Sequence, residues 1–297
     1  MMRNLTRRLN LADGGGALPC FIGVWSLLVI VPLVVLIVFS FFQTQFFMTV
    51  YKPSLYTWNA LFSSGRFEVT LRTLRIAVTV TVIDFVVGFP FALWLAKGKA
   101  SRTVQAITLA LLTIPFFIDL SSRIIVWRPI LDEHGLINSV LLASHIVSVP
   151  QHWLLYTEWP VHFAMIIDNF PMMVLPIYMA INVIDDTLIS ACEDLGGSPF
   201  RVLKDVIFPL SLPGILGGII FTLGSSLAAW IEPSMLGGGF VDVLSNSISS
   251  AYSALRVPMV AALSTFVVVL LGLLLCILVV AMRRFVRFGE VFRSMKS

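Results

Sequence analysis

Residues 185–215 read DDTLISACEDLGGSPFRVLKDVIFPLSLPGI, and the reading of this stretch decides how the rest of the chain is arranged. The stretch carries charge between two apolar blocks. Asp185, Asp186 and Thr187 are residue types that accept hydrogen bonds from the free N–H groups of a starting helix. Leu188, Ile189, Ala191, Cys192 and Leu195 then recur at helical spacing, which predicts one short helix. Gly196-Gly197 ends it, because glycine tolerates the left-handed turn that closes a helix. Ser198-Pro199 restarts the chain, with Ser as cap and Pro at the first helical position. A second helix is expected from Phe200 to about Phe208, stopped by Pro209, with another break at Pro213-Gly214. The result is a polar helix–turn–helix knob set between membrane spans, a form suited to presentation to a partner.

Composition explains why the flanking blocks are spans. The chain has 297 residues, of which 58% are hydrophobic and 12% charged. That leaves too little polar surface to cover a soluble domain of this size. Six apolar segments reach the ~20 residues a membrane helix needs: Phe21–Phe42, Leu71–Ala96, Thr103 to about Trp127, Trp159–Ile184, Leu212–Ile231 and Val257–Met282. Pro171 and Pro176 break the fourth, and Gly214, Gly217, Gly218 and Gly224 mark the fifth as a close-packing helix. The first follows Arg3, Arg7 and Arg8, as a signal peptide would, but it is too long and no small-residue cleavage site follows, so it reads as a retained anchor. Residues 43–70 form a polar and aromatic loop, residues 128–158 a loop with a short interfacial helix over 136–146, and residues 234–256 a glycine-rich loop with another. The expected organisation is a segment 1–20, a transmembrane domain 21–282 containing the knob at 185–211, and a tail 283–297.

Basic residues orient the spans. Arg3, Arg7 and Arg8, then Lys97, Lys99 and Arg102, then Arg201 and Lys204, and finally Arg283, Arg284, Arg287, Arg293 and Lys296 fall on one side. They are the majority of the 20 Lys and Arg residues, which puts both termini and the knob in the cytoplasm. Arg72 and Arg75, at the opposite end of the second span, run against that bias. Cys20, Cys192 and Cys276 fit no metal spacing and are expected as free thiols. His134, His145, His152 and His162 fall in one region at spacings that match no ligand motif. There is no Gly-x4-Gly-Lys-Ser/Thr phosphate loop, so no ATP site and no bound cofactor is expected on this chain. Neither nucleic-acid binding nor a catalytic constellation is indicated.

The knob resembles the cytoplasmic loop of ABC-importer permeases. That family's pattern is Glu-Ala-Ala, three residues, Gly, nine residues, Ile, one residue, Leu-Pro. The spacing holds here in full, with Ala191, Gly196 and Pro209 identical, Ser190 at the Glu position, Cys192 at the second Ala, Val206 at Ile and Phe208 at Leu. The usual continuation Pro-Leu-x-x-Pro-Gly-Ile stands intact at Pro209–Ile215. Further stretches, GFPFALWLAKGKASR, LLTIPFFIDLSSRIIVW and HGLINSVLLA, are similar to permeases of spermidine/putrescine-type importers, through Gly88–Ala92, Pro115-Phe116 with Arg123, and Gly135 with Ile137-Asn138. The match covers roughly residues 70–285.

The resemblance implies an all-α polytopic fold of six transmembrane helices with a cytoplasmic coupling helix, the type I ABC importer permease fold, in a bacterial inner membrane. It implies that Ser190, Ala191, Cys192, Glu193, Asp194, Gly196, Gly197, Ser198, Pro199, Arg201 and Pro209 couple to an ATPase dimer that carries ATP and Mg. It also implies a second permease subunit, related or identical, and a periplasmic binding protein that delivers the solute. With Ser190 in place of the family's Glu, its salt bridge would fall to Glu193 or Asp194. The group handles polyamines, and also opines, other organic cations and phosphonates. Many relatives end the fifth span in Gly-Asp-Phe-x-x-Pro; here Ala228–Pro233 reads AAWIEP, and the acid stands at Glu232.

Asp84, Asp119, Asp168 and Glu232 lie within or at the ends of spans. An ionised side chain near the bilayer centre costs ~2.5–3.5 kcal/mol on insertion scales, so these face the interior. A cationic solute needs acids and aromatic faces along its way. Asp119, Trp127, Asp168, Trp230 and Glu232 are the candidates for that path. The competing expectation is structural: Asp119 and Arg123, four apart on one helix face, would neutralise each other, and Asp84 would pair within the fold. An ion-coupled secondary transporter is the alternative from another class, and predicts inverted repeats that the sequence does not display. An intramembrane enzyme would need a nucleophile paired with a base inside the spans.

Overall fold

The structure is a computed structural model and describes residues 17–46, 48–63, 66–98 and 100–285. The expected N-terminal segment up to residue 16, Lys99 and the tail beyond residue 285 lie outside the described residues. The chain divides into two compact units: one takes in the chain up to Ser63 together with Ala251–Phe266, the other Ser64–Ser250 and the chain from Val267.

In the first unit, α1 (Ala17–Phe39) is apolar on every face and exposed along most of its length. A helix with no polar stripe is suited to lipid. The loop expected over 43–70 is more ordered than its composition indicated. It holds an antiparallel hairpin, β1 (Gln43–Gln45) with β2 (Met48–Val50), in which Gln43 pairs with Val50. Helix α2 (Tyr56–Ser63) follows. The rings of Phe39, Phe42 and Tyr51 meet edge to face, and Phe41, Trp58, Phe62 and Phe266 form a second chain of contacts.

The second unit is built on three long helices: α3 (Arg66–Lys97), α7 (Glu158–Asn182) and α10 (Phe208–Ala228). Glu68 in the first turn of α3 and Lys97 in its last both complement the helix dipole. Ala92, Met173, Val174, Ile177, Ile181 and Ile215 are buried where these helices pack. Around this core lie α4 (Arg102–Thr113), α5 (Leu120–Leu131), α6 (Leu136–Ala143), α8 (Asp186–Asp194), α9 (Pro199–Val202), α11 (Ile231–Leu236) and, as far as Ser250, α12 (Leu244–Ser253). Helix α13 (Val257–Phe285) begins in the first unit and belongs to the second from Val267.

Four expectations need correction. The third span is not one helix from Thr103 to Trp127: a 3-10 turn over Ile114–Phe117 interrupts it, and the two halves meet at a bend of 99°. Pro115 removes a backbone donor there, and the Asp119 carboxylate starts α5 by accepting from the Ser122 N–H at 3.1 Å. Five helices among the described residues are thus long and apolar enough to cross a membrane, with a sixth crossing if the bent pair is one span. The fourth span, by contrast, is unbroken, with Pro171 and Pro176 both inside α7.

Nor does Pro209 stop the chain. Helix α9 runs through a π-turn at Leu203–Ile207 into α10, giving one apolar helical stretch over Pro199–Ala228. The π-turn joins the Phe208 N–H to the Leu203 carbonyl and leaves Pro209 in the first turn of α10, where a missing donor is tolerated. Pro213 lies within α10 as well. Finally, that span ends at Ala228, so Glu232 and Pro233 belong to the separate helix α11.

Of the four glycines in the fifth span, two explain its packing. A Cβ on Gly214 would collide with Ala180 and the Pro176 carbonyl, and one on Gly218 would sit 2.8 Å from the Met173 carbonyl oxygen. Both therefore let α10 lie directly on the backbone of α7. Gly217 leaves room, with Pro176 Cβ at 3.6 Å, and Gly224 has nothing within 4 Å.

Candidate functional site

Two regions carry the residues singled out from the sequence. The first is the knob. Asp185 caps α8, its carboxylate accepting from the Thr187 N–H at 3.0 Å, and this hydrogen bond holds the Asp185 carboxyl below its usual range. The other end of α8 closes through two hydrogen bonds, Gly196 N–H to Glu193 O at 2.8 Å and Gly197 N–H to Cys192 O at 2.9 Å. This is the paired pattern of a Schellman turn. Gly196 sits at φ +81°, and a Cβ on Gly197 would lie 2.6 Å from the Cys192 carbonyl oxygen. The two glycines thus have different reasons, conformation for one and space for the other. Ser198 caps α9 by accepting from the Arg201 N–H at 3.4 Å, and Pro199 takes the first helical position. Arg201 pairs with Asp205 at 3.4 Å.

The knob has an inner and an outer face. Ile189, Cys192, Leu203, Val206 and Phe208 pack against the core of α3, α7 and α10. Ser190, Ala191, Glu193, Asp194, Gly196, Ser198, Pro199 and Arg201 are exposed, Cys192 and Gly197 are half-buried, and Pro209 is half-buried at the base. Leu188, Leu195 and Phe200 are exposed beside them, Leu195 at 87%. The knob is tied to its base by Lys97, whose ammonium donates to the Ile184 carbonyl and to Asp186, each at 2.6 Å.

The second region lies where α5, α7 and α11 meet. Arg123 of α5 forms an ion pair with Asp168 of α7, and Glu232 of α11 lies within electrostatic reach of both. Asp168 and Glu232 are 8% and 4% exposed, so both acids lie away from solvent, and Arg123 bonds to Asp168. This corrects the expected neutralisation within one helix: Asp119 is an exposed cap, and Arg123 turns to Asp168 instead. Trp127, one turn along α5 from Arg123, meets Phe163 edge-on at 5.0 Å. Phe163 stacks on Trp159 at 5.2 Å, and Trp159 meets Trp153 at 5.0 Å, so an aromatic column runs along the first turns of α7.

Trp230 stands apart from this cluster. It is half exposed and lines a cleft of about 340 Å³ with Ser234, Asp242, Asn246, Ser249 and Ser250. Asp84, in the middle of α3, is fully buried, and neither carboxylate oxygen has a hydrogen-bond partner among the described residues, contrary to the internal pairing expected of it. Sequence reasoning missed Arg123 as the partner of Asp168, and Asp242 and Asn246 as neighbours of Trp230. The first had a signal: a lone Arg and a lone Asp in separate apolar segments are each other's natural partners.

Spanning helices that enclose an acid cluster and carry a protruding helical knob define a membrane component of a solute transport system. The chain belongs to the family of binding-protein-dependent transport system inner membrane components, which it matches over residues 88–288. It is 30% identical over 212 residues to the spermidine/putrescine transport system permease protein PotB of Escherichia coli (strain K12), covering 71% of this chain and 76% of that one. PotB of Haemophilus influenzae is 30% identical over 219 residues, covering 73% and 76%. Among solved structures, a chain of a bacterial ABC transporter involved in the import of the acidic polysaccharide alginate superposes with a TM-score of 0.67 at 19% identity, over 95% of this chain and 98% of that one. The fold is that of a type I ABC importer permease, and the chain is a multi-pass inner-membrane protein.

Proposed function

We propose that this chain forms one half of the substrate path of an ATP-driven importer for small organic polycations of the spermidine/putrescine type. The observation that carries the substrate class is the buried acid at this junction: Asp168 is paired with Arg123, and Glu232 of α11 lies within electrostatic reach of both. Such a cluster favours a passing cation and repels an anion. The names of the PotB relatives support the same class. Asp168 and Glu232 supply the counter-charge, Trp127 and Trp230 offer ring faces to an ammonium, and Asp119 shapes the start of α5.

The exposed face of α8 and α9 docks into a cytoplasmic ATPase dimer that holds ATP and Mg, both termini lie on that side, and a second permease chain completes the path. A periplasmic binding protein delivers the solute, a partner also present in the solved alginate transporter bound to its periplasmic protein. ATP binding shifts the path between its two openings through differential contacts at the knob. Uptake of labelled spermidine into proteoliposomes holding the whole complex tests the proposal. Uptake should require both ATP and the binding protein; accumulation of an anion with exclusion of spermidine would refute the substrate class.

A further inference from the structure

The Arg123–Asp168–Glu232 cluster is incompletely bonded. Among the described residues the Arg123 side chain makes one hydrogen bond, from an Nη to Asp168 Oδ1. Arg123 Nε, Asp168 Oδ2 and Glu232 Oε2 are buried with no hydrogen-bond partner. A guanidinium and a carboxylate built as a permanent brace engage through two parallel N–H···O bonds. Here the fork is used once, and an acceptor is left over on each of the two acids. Among the described residues, Asp168 has Arg123 as its ion-pair partner and Glu232 has none, and both acids are more than nine-tenths buried. Leaving such acceptors unfilled is costly, so the arrangement keeps bonding capacity for one more cationic donor. The three side chains come from three different helices, α5, α7 and α11, so they can separate without any one helix unfolding.

We propose that Arg123 is a resident counter-cation, which holds Asp168 while the path is empty and is exchanged for an ammonium group of the substrate during passage. The ammonium donates to Asp168 Oδ2 and Glu232 Oε2, the guanidinium loosens from Asp168, and its return expels the ammonium. This inference rests on the organic-cation reading given above. It makes Arg123 a determinant of turnover as well as of affinity. With no guanidinium to compete, an ammonium would stay on the two acids. With Glu232 neutralised, the surplus charge that admits the ammonium is gone.

The test uses the complete complex in proteoliposomes, with its binding protein and labelled spermidine, and reads KM and kcat separately. Arg123→Gln should lower KM and kcat together, each by about tenfold, the value of one charge-assisted contact. A structural brace predicts no such split, so an unchanged or raised KM in Arg123→Gln overturns the exchange. Should that variant fail to co-purify with its ATPase, Glu232→Gln carries the test, since it leaves the Arg123–Asp168 pair in place. Its KM should rise about tenfold with assembly intact, and an unchanged KM overturns the exchange. In either of these outcomes, wild-type uptake of spermidine leaves the importer reading standing. No uptake of spermidine by the wild-type complex overturns both.

Discussion

Helix α7 treats its two halves differently. In the half nearer the knob, the backbone around Met173 and Pro176 receives Gly218 and Gly214 of α10, and Gly88 of α3 lies against Met173 and Val174. The side chains there, Met173, Val174, Ile177 and Ile181, are wholly buried. In the other half, Asp168 makes a single-pronged contact with Arg123, and its second oxygen has no hydrogen-bond partner among the described residues. The half nearer the knob is packed around the two α10 glycine contacts. The other combines buried apolar side chains, Val161, Ala164 and Met165, with a polar junction that has spare bonding capacity. The glycine contacts hold α7 in place, and the polar junction is where partners can change.

The largest effect should come from breaking the glycine contacts. Gly214→Leu should abolish assembled protein, and even Gly218→Ala should cost about 1–3 kcal/mol through overpacking. Gel filtration in detergent and a thermal melt read both; a monodisperse Gly214→Leu variant would show that α7 and α10 can part. Next comes the knob that follows α7. Gly196→Pro cannot adopt the left-handed turn at that position, so the protein should insert but lose ATP-dependent uptake by tenfold or more, about the span expected when a docking turn is destroyed. Normal uptake would move the coupling surface elsewhere.

The polar half should respond in affinity. Glu232→Gln should raise the KM for a cationic solute by about tenfold with ATPase association intact, whereas a fall in assembly would make Glu232 a structural acid. Asp84 probes the core itself, because it is buried with no hydrogen-bond partner among the described residues and lies outside both the glycine contacts and the acid cluster. Asp84→Asn should raise stability by about 1 kcal/mol, read as a higher melting midpoint; a lower one would assign the carboxylate a role. The smallest effect belongs to Asp186→Asn. The Asp186 side chain is 82% exposed, so its pair with Lys97 should be worth under about 1 kcal/mol, and a larger loss would mean that Lys97 braces the knob.

Much of this fold was legible in the sequence. The caps at Asp185 and Ser198, the glycine turn at Gly196-Gly197 and the intact Pro209–Ile215 run placed the knob, and the long apolar runs placed α1, α3, α7 and α13 within a few residues. Proline was read too strongly. Pro171, Pro176 and Pro213 lie inside helices, where packing against neighbours outweighs the missing donor, and the π-turn absorbs Pro209. It was read too weakly at Pro115, where the chain does turn. Spacing on one chain also misassigned Arg123, because a neighbour four residues away competes with a partner on another helix that only tertiary packing reveals. The acids Asp168 and Glu232 stand out by their apolar surroundings, but the Arg123 guanidinium that pairs with Asp168 does not.

The most direct test of the account is co-purification of the tagged chain from its native host, followed by spermidine uptake with the recovered complex. An ATPase subunit and a second permease should come with it, and uptake should stop when ATP is withheld. A chain that purifies alone and accumulates solute on an ion gradient without ATP would contradict it.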